Sequence, residues 1–230
     1  MLRASFDNEL HQLQTQVLSL GSEVEENLVK VVDALIERDF VVSRRLIEAD
    51  KRINARRIQI GLDSLKLIAT QQPMARDMRL IAAVLEIVGE LERIHDYVKG
   101  IAKTSIVLGH APILPAFVEQ LPEMARVTRD MLHLALEAFA KRDAELARQI
   151  PEQDDLVDNI FNQLYQETIN YVLESPTEVM RANQLEWAIH NLERSADRVT
   201  NICEWVVYMV TGEYAEMDSE FETPPMPGSD

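Results

Sequence analysis

The chain contains one cysteine, Cys203, so it cannot build an internal disulfide framework, and a reducing compartment is the expected setting. Glycine is scarce at seven residues and proline at nine. Five of the prolines fall in two short stretches, Pro112 with Pro115 and Pro224, Pro225, Pro227, which leaves long segments free of helix breakers. No apolar run approaches the roughly 18 residues of a membrane span. The segment Met1-Leu2-Arg3-Ala4-Ser5-Phe6-Asp7 lacks the apolar core of a signal peptide. Basic residues are outnumbered, 23 Lys and Arg against 39 Asp and Glu, for a net charge of −16. That balance argues against nucleic acid, which calls for a basic footprint, and favours cations or basic partners. What remains is 47% apolar and 27% charged over 230 residues, ordinary for a globular protein with a sizeable core. A cytoplasmic protein with no membrane insertion is expected.

The apolar residues recur at helical spacing. Phe6, Leu10, Leu13, Val17, Leu20, Val24, Leu28, Val31 and Leu35 alternate steps of three and four, which predicts one long amphipathic helix interrupted by Gly21. Asp39 suits the N-cap of a second helix running to about Thr70. Gln71-Gln72-Pro73 reads as a hairpin, with Pro73 in the first turn of a third helix that continues to about Leu108. After a linker the cycle repeats: a fourth helix from about Phe117 to Lys141, a fifth from Asp143 to Glu174, and a sixth that Ser175-Pro176-Thr177-Glu178 starts and Gly212 stops. The halves match in detail. Ala34, Arg38, Asp39, Glu48 and Asp50 recur 104 residues on, and Leu91, Glu92, Arg93, Asp96, Val98 and Ile101 recur 101 residues on. The reading is all-α: two tandem antiparallel three-helix bundles related by pseudo-two-fold symmetry. Residues 1–108 form the first, 109–116 a linker and 117–212 the second. Residues 213–230, with six acids, no bases and three prolines, form an acidic tail expected to be disordered.

The repeated stretch that bears chemistry is Leu91-Glu92-Arg93-Ile94-His95-Asp96, echoed by Leu192-Glu193-Arg194-Ser195-Ala196-Asp197. Each carries carboxylates at i and i+4, which share one helix face and repel one another. Counting from Gln72, Asp50 and Asn54 lie 22 and 18 residues before the turn, and Glu92 and Asp96 lie 20 and 24 after it. All four therefore stand roughly 30 Å up the hairpin. Asp154, Asp158, Glu193 and Asp197 coincide in the same way around Ser175. Each group makes an oxygen-rich cation site, for which Mg, Ca, Mn and Fe are all admissible. Asn54 offers a carbonyl where Asp158 offers a carboxylate, so the first site is expected to bind less strongly.

Other side chains invite plainer readings. Arg93 and Arg194 are expected in salt bridges, His95 packed on the apolar seam, Trp187 and Trp205 in the core or hairpin packing, and Cys203 buried. Glu92-Arg93-Ile94-His95 formally matches the Glu-x-x-His of ferritin-like di-iron enzymes, the alternative function. The second copy has Ala196 in place of the histidine. No glycine-rich phosphate loop or nucleophile–base motif occurs, so an enzyme is not expected.

The motifs together resemble the PhoU family of bacterial phosphate-signalling regulators. Glu48-Ala49-Asp50-Lys51-Arg52-Ile53, Gln72-Pro73-Met74-Ala75-Arg76-Asp77-Met78-Arg79 and Leu91–Asp96 carry the resemblance, with a second copy ending in Leu192–Asp197. It covers residues 5 to 212 as two tandem repeats. The resemblance implies multinuclear metal sites of divalent or trivalent iron, manganese, zinc or magnesium. Carried over by position, the ligands are Asp50, Asn54, Glu92 and Asp96 in one half and Asp154, Asp158, Glu193 and Asp197 in the other. It implies a cytosolic adaptor between the ATPase of the phosphate ABC transporter and a sensor histidine kinase, repressing the phosphate regulon when phosphate is plentiful. A regulator of another transporter would carry the same signature. Long amphipathic helices can pair between protomers, and a homodimer is the expected assembly.

Overall fold

The seam of the first segment becomes helix α1 (Leu2–Glu37), and all nine of its apolar seam residues, from Phe6 to Leu35, are buried. The computed structural model describes residues 2–217. It continues with α2 (Phe40–Gln71), α3 (Ala75–Leu108), α4 (Pro115–Lys141), α5 (Ala144–Gln149), α6 (Asp154–Glu174) and α7 (Val179–Thr211). There is no strand among the described residues. Fully burying a Val or Leu side chain contributes about 1.5–3 kcal/mol, so the α1 seam far outweighs the ~1 kcal/mol that Gly21 costs the helix. Gly21 also has a packing reason. A Cβ there would overlap Leu136 of α4, which fills the space beside the bare backbone.

Four helices form a closed ring. α1 packs on α3 and α4, and α7 packs on α3 and α4, while among the described residues the diagonal pairs α1–α7 and α3–α4 have no close backbone approach. α2 lies over the groove between α1 and α3, and α5 and α6 cover the groove between α4 and α7. A pseudo-two-fold axis exchanges α1 with α4 and α3 with α7. One continuous core runs through both halves, from Leu20 and Val24 through Ile87 and Ile94 to Leu192 and Val199. The expected α3 seam of Leu80, Val84, Val88, Leu91, His95, Val98 and Ala102 is buried throughout. A second stripe, Ile81, Ile87, Ile94 and Ile101, is buried as well, because α3 is packed on three neighbours.

The duplication is visible at the helix corners. Arg38 and Arg142 both adopt left-handed backbone, at φ 60° and 56°. In each corner the next residue is an aspartate whose amide donates to an alanine carbonyl, Asp39 to Ala34 and Asp143 to Ala138, both at 2.9 Å. Asp39 Oδ1 then accepts from the amides of Val41 and Val42, and Asp143 Oδ1 from those of Glu145 and Leu146. Both are N-caps that satisfy otherwise orphaned donors.

Several boundaries differ from expectation. The single helix expected over Asp143–Glu174 is broken into α5, a 3₁₀ turn at Ile150–Gln153, and α6. Pro151 is the cause, since its ring has no N–H and clashes with the preceding turn. The expected capping box at Ser175 does not form: Pro176–Glu178 is a 3₁₀ turn, the Ser175 side chain makes no capping bond, and α7 begins at Val179. Pro73 precedes α3, whose first turn is capped by Met74. α4 starts at Pro115, two residues early, because a proline is well placed at a helix's first position. Gly212, at φ 85°, ends α7 as expected, its amide donating to Tyr208. Of the tail, Tyr214 Oη and the Met217 amide donate to buried Glu204 at 2.8 and 2.7 Å. The rest of the expected disordered tail, 218–230, lies outside the described residues.

Replacing Asp143 by Ala is expected to lower stability in urea unfolding by about 1 kcal/mol, the usual worth of an N-cap. Arg142→Gly is expected to move the midpoint the other way, by up to about 1 kcal/mol, by relieving the left-handed conformation. Gly21→Val is expected to cost about 1–3 kcal/mol through overpacking, partly recovered when Leu136→Ala makes room.

Candidate functional site

The two carboxylate groups stand where two antiparallel helices of each half face each other, α2 with α3 and α6 with α7. Their shared height follows from the hairpins: 1.5 Å of rise per residue carries each pair equally far from its turn. The side chains around them differ between the halves.

In the first half, Lys99 of α3 lies between the helices. Its Nζ donates to Asp50 Oδ2 at 2.9 Å and to Asp96 Oδ1 at 2.8 Å. Those two hydrogen bonds, Asp96's first, raise the lysine's pKa above its ordinary value. Asn54 Oδ1 accepts from Arg57 Nε at 3.3 Å. Glu92 is pushed up by desolvation; the Arg57 charge opposes that, and Asp96 and Asp50 add to it. His95 is fully buried. Its Nδ1 faces Asp50 Oδ1 at 3.6 Å, and its Nε2 lies 3.2 Å from Asn27 Nδ2. Burial lowers its pKa despite the neighbouring carboxylate. His95 thus lies beside Asp50, Nδ1 and Oδ1 making no hydrogen bond to each other, and does not join Glu92 in a Glu-x-x-His pair.

In the second half no lysine intervenes. Asp154 Oδ1 and Glu193 Oε2 are buried without a hydrogen-bond partner among the described residues. Desolvation, then the charges of Asp158, Asp197 and Glu193, raise Asp154 to about 7. Desolvation and then Asp197 raise Glu193 to about 7, against the opposing pull of Arg194. Asp158 is raised by burial and then by Asp197. Arg194 Nη1 holds Asp197 Oδ2 at 2.7 Å, the salt bridge expected of it, while Arg93 lies 3.6 Å from Glu90. Because the helix is broken at Pro151, Asp154 opens α6, where the helix dipole favours negative charge. Among the described residues, no three His, Cys, Asp or Glu side chains stand in the geometry of a finished metal site. The four acids face one another without converging on a single point.

The eight candidate residues thus fall into two groups of unlike character. The first set, three carboxylates and Asn54, is partly neutralised by Lys99 and Arg57 and keeps one oxygen orphaned among the described residues, Asp50 Oδ1. The second has two orphaned carboxylate oxygens and an all-oxygen donor set, which fits a hard cation. Lys99 went unread in the sequence, although the repeat held the signal: at the 101-residue offset it stands opposite uncharged Thr200. Three polar residues on the facing surfaces of α3 and α7 carry no signal in the sequence. Glu90, on α3, is buried and accepts from Arg198 Nη1 at 3.5 Å and Asn201 Nδ2 at 3.4 Å, both on α7. Trp187, expected in packing, is 51% exposed beside His190, since α7 turns that face outward near its start. Cys203 is buried, as expected.

The family model of the PhoU domain matches residues 17–105 and 121–206. The phosphate-specific transport system accessory protein PhoU homolog of Pseudomonas putida is 33% identical over 90% of this chain and 81% of its own length. That of Streptococcus pneumoniae serotype 4 is 34% identical over 94% of this chain and all of its own. The crystal structure of the phosphate transport system regulatory protein PhoU from Streptococcus pneumoniae superposes with a TM-score of 0.84 at 32% identity, over 91% of this chain and 99% of that one. PhoU from Pseudomonas aeruginosa gives the same score and identity over 90% and 100%.

The raised carboxylates make a pH dependence that can be measured on metal-free protein. Asp154 and Glu193 shift from ordinary values of 3.8 and 4.5 to about 7 on folding. Between those limits the folded state holds protons that the unfolded chain has shed, so stability falls as pH rises through the window. Urea unfolding in chelator at pH 5 and pH 8 is expected to show the weaker protein at pH 8. Asp154→Asn is expected to shrink the difference.

Proposed function

This chain belongs to the PhoU family, and on that premise we propose that it is a cytoplasmic, metal-binding adaptor of phosphate transport that links the ATPase subunit of the phosphate ABC transporter to a sensor histidine kinase and holds down the phosphate regulon when phosphate is plentiful. The observation that carries the reading is the pair of PhoU-domain segments, together with relatives named for phosphate transport that align over nearly the whole chain. The role is regulatory binding rather than catalysis. The net charge of −16 suits docking onto basic surfaces of partner proteins. No helix among the described residues is long and apolar enough to cross a membrane. Homodimers formed through the long amphipathic helices complete the proposal.

Asp154, Asp158, Glu193 and Asp197 would hold the metal, iron, manganese, zinc or magnesium. When bound, such an ion would supply positive charge to carboxylates borne by α6 and α7. The chain's own contribution is to gather four carboxylates from two helices in a partly desolvated place, where two unit charges about 4 Å apart repel by about 4 kcal/mol at a typical protein-surface dielectric. Arg194 relieves one of them. Binding of a cation removes the rest of the penalty and stabilises the folded state by linkage.

In thermal unfolding, Mn²⁺ is expected to raise the melting temperature of the native protein and to leave Glu193→Ala with Asp197→Ala unmoved, that variant being the more stable in chelator. Affinity capture from phosphate-replete cells is expected to recover the transporter ATPase or the kinase, and deletion is expected to switch on a phosphate-regulon reporter. A silent reporter with no such capture would remove the adaptor role, and a metal-insensitive native protein would remove the metal.

A further inference from the structure

The first half carries the acid pairs of the second but surrounds them with its own cations. Lys99 Nζ contacts one oxygen from each helix of the hairpin, Asp50 Oδ2 on α2 and Asp96 Oδ1 on α3. An ion tying α2 to α3 would have to share those two carboxylates with the ammonium, leaving Asp50 Oδ1 as the one buried oxygen of Asp50 that makes no hydrogen bond among the described residues. Arg57 binds Asn54, and its charge bears on Glu92. Asp50's other oxygen faces the ring of His95, which Asn27 holds from behind. All four matched positions therefore have a basic or polar side chain of this chain beside them, although Asp50 Oδ1 makes no hydrogen bond among the described residues. In the second half the positions of Arg57 and Lys99 are taken by Phe161 and Thr200. Thr200 Oγ1 is buried with no hydrogen-bond partner among the described residues, so the threonine does not replace the ammonium between the helices.

We propose that Lys99 is a built-in cation standing in the metal position of the first half, so that this chain takes up metal in its second half alone. The proposal rests on the reading of the second half as a metal site, and on charge. The first set offers three carboxylates against Lys99 and Arg57, whereas the second offers four against Arg194, with a smaller contribution from Arg198. A divalent ion entering the first set must expel an ammonium that makes two charge-assisted hydrogen bonds, and it gains a site with one carboxylate fewer. The lysine also frees the first hairpin from metal supply. Its two helices are cross-linked whatever the ion concentration, while α6 and α7 answer to it.

The test uses the full-length protein, stripped with chelator, and Mn²⁺ measured as bound metal per chain and by electron paramagnetic resonance. Asp154→Asn with Glu193→Gln and Asp197→Asn disarms the second half, and is expected to abolish bound Mn²⁺. Adding Lys99→Met to that background is expected to restore binding, and Asp50→Asn with Asp96→Asn to remove it again. Lys99→Arg, which keeps the charge, is expected to restore nothing. Lys99→Gln, which keeps hydrogen-bonding capacity without charge, gives the same test if Lys99→Met loses its helical circular dichroism. The proposal is overturned if the disarmed protein with Lys99 intact still binds Mn²⁺ through Asp50 and Asp96, or if neither neutral variant gains any. Should the native protein bind none while the neutral variants do, the second-half reading fails and the role of Lys99 stands.

Discussion

Carboxylates brought together between two packed helices and shielded from water need a countercharge, and each half of this molecule meets that need differently. Repulsion of several kcal/mol between neighbouring charges exceeds what an exposed salt bridge returns. The acids must therefore bind a cation, hold protons or recruit a basic side chain. The first half recruits Lys99 and Arg57. The second lets Asp154 and Glu193 hold protons toward neutral pH, a state that an arriving metal ion would relieve. The packed hairpins α2–α3 and α6–α7 set this problem by fixing the distance between facing helices.

Much of this was legible before any coordinates. The three-and-four spacing from Phe6 to Leu35 specified both the helix and its buried face, because a helix must bury whichever stripe is apolar. Repeat offsets and hairpin positions set the height of the acids, since helical rise is nearly constant. The capping aspartates Asp39 and Asp143 were half-read: only the first was named as a cap, and the second does the same work. Other features depended on tertiary context. Pro151 lies inside an apolar-periodic segment, and the helix breaks there, whereas Pro122 is carried inside α4. Ser175 had the right residues around it for a capping box, but the chain closes there as a 3₁₀ turn. Lys99 cannot be singled out from its neighbours in sequence, because only the packing of α2 on α3 brings Asp50 within reach. The second apolar stripe of α3 makes sense only once α7 is in place.

The halves have diverged in chemistry while keeping their frame. The left-handed arginine, the aspartate cap and the alanine carbonyl recur almost atom for atom at the two corners. Backbone geometry of that kind has few solutions, and duplication preserves it. Charge at the acid clusters is under no such steric constraint. Asn54 faces Asp158 in the repeat register, Arg57 faces Phe161, and Lys99 faces Thr200. Each pairing alters charge without disturbing the fold, so one scaffold offers two sites of unlike electrostatics.

The closed ring also bears on how the chain is made. α1 buries its seam against α3, thirty-odd residues downstream of α2's start, but also against α4, on the far side of the linker. While only α1, α2 and α3 have left the ribosome, the flanks of α1 and α3 that will meet α4 and α7 are bare. A nascent chain in that state shows water a broad apolar surface, and domains emerging in this way are the ones that aggregate or swap partners. Synthesis of the second half ends the exposure, since α4 and α7 close the ring together. Although each half looks like a module and is duplicated like one, neither buries its own inner face, so the smallest unit able to leave the ribosome safely is the pair.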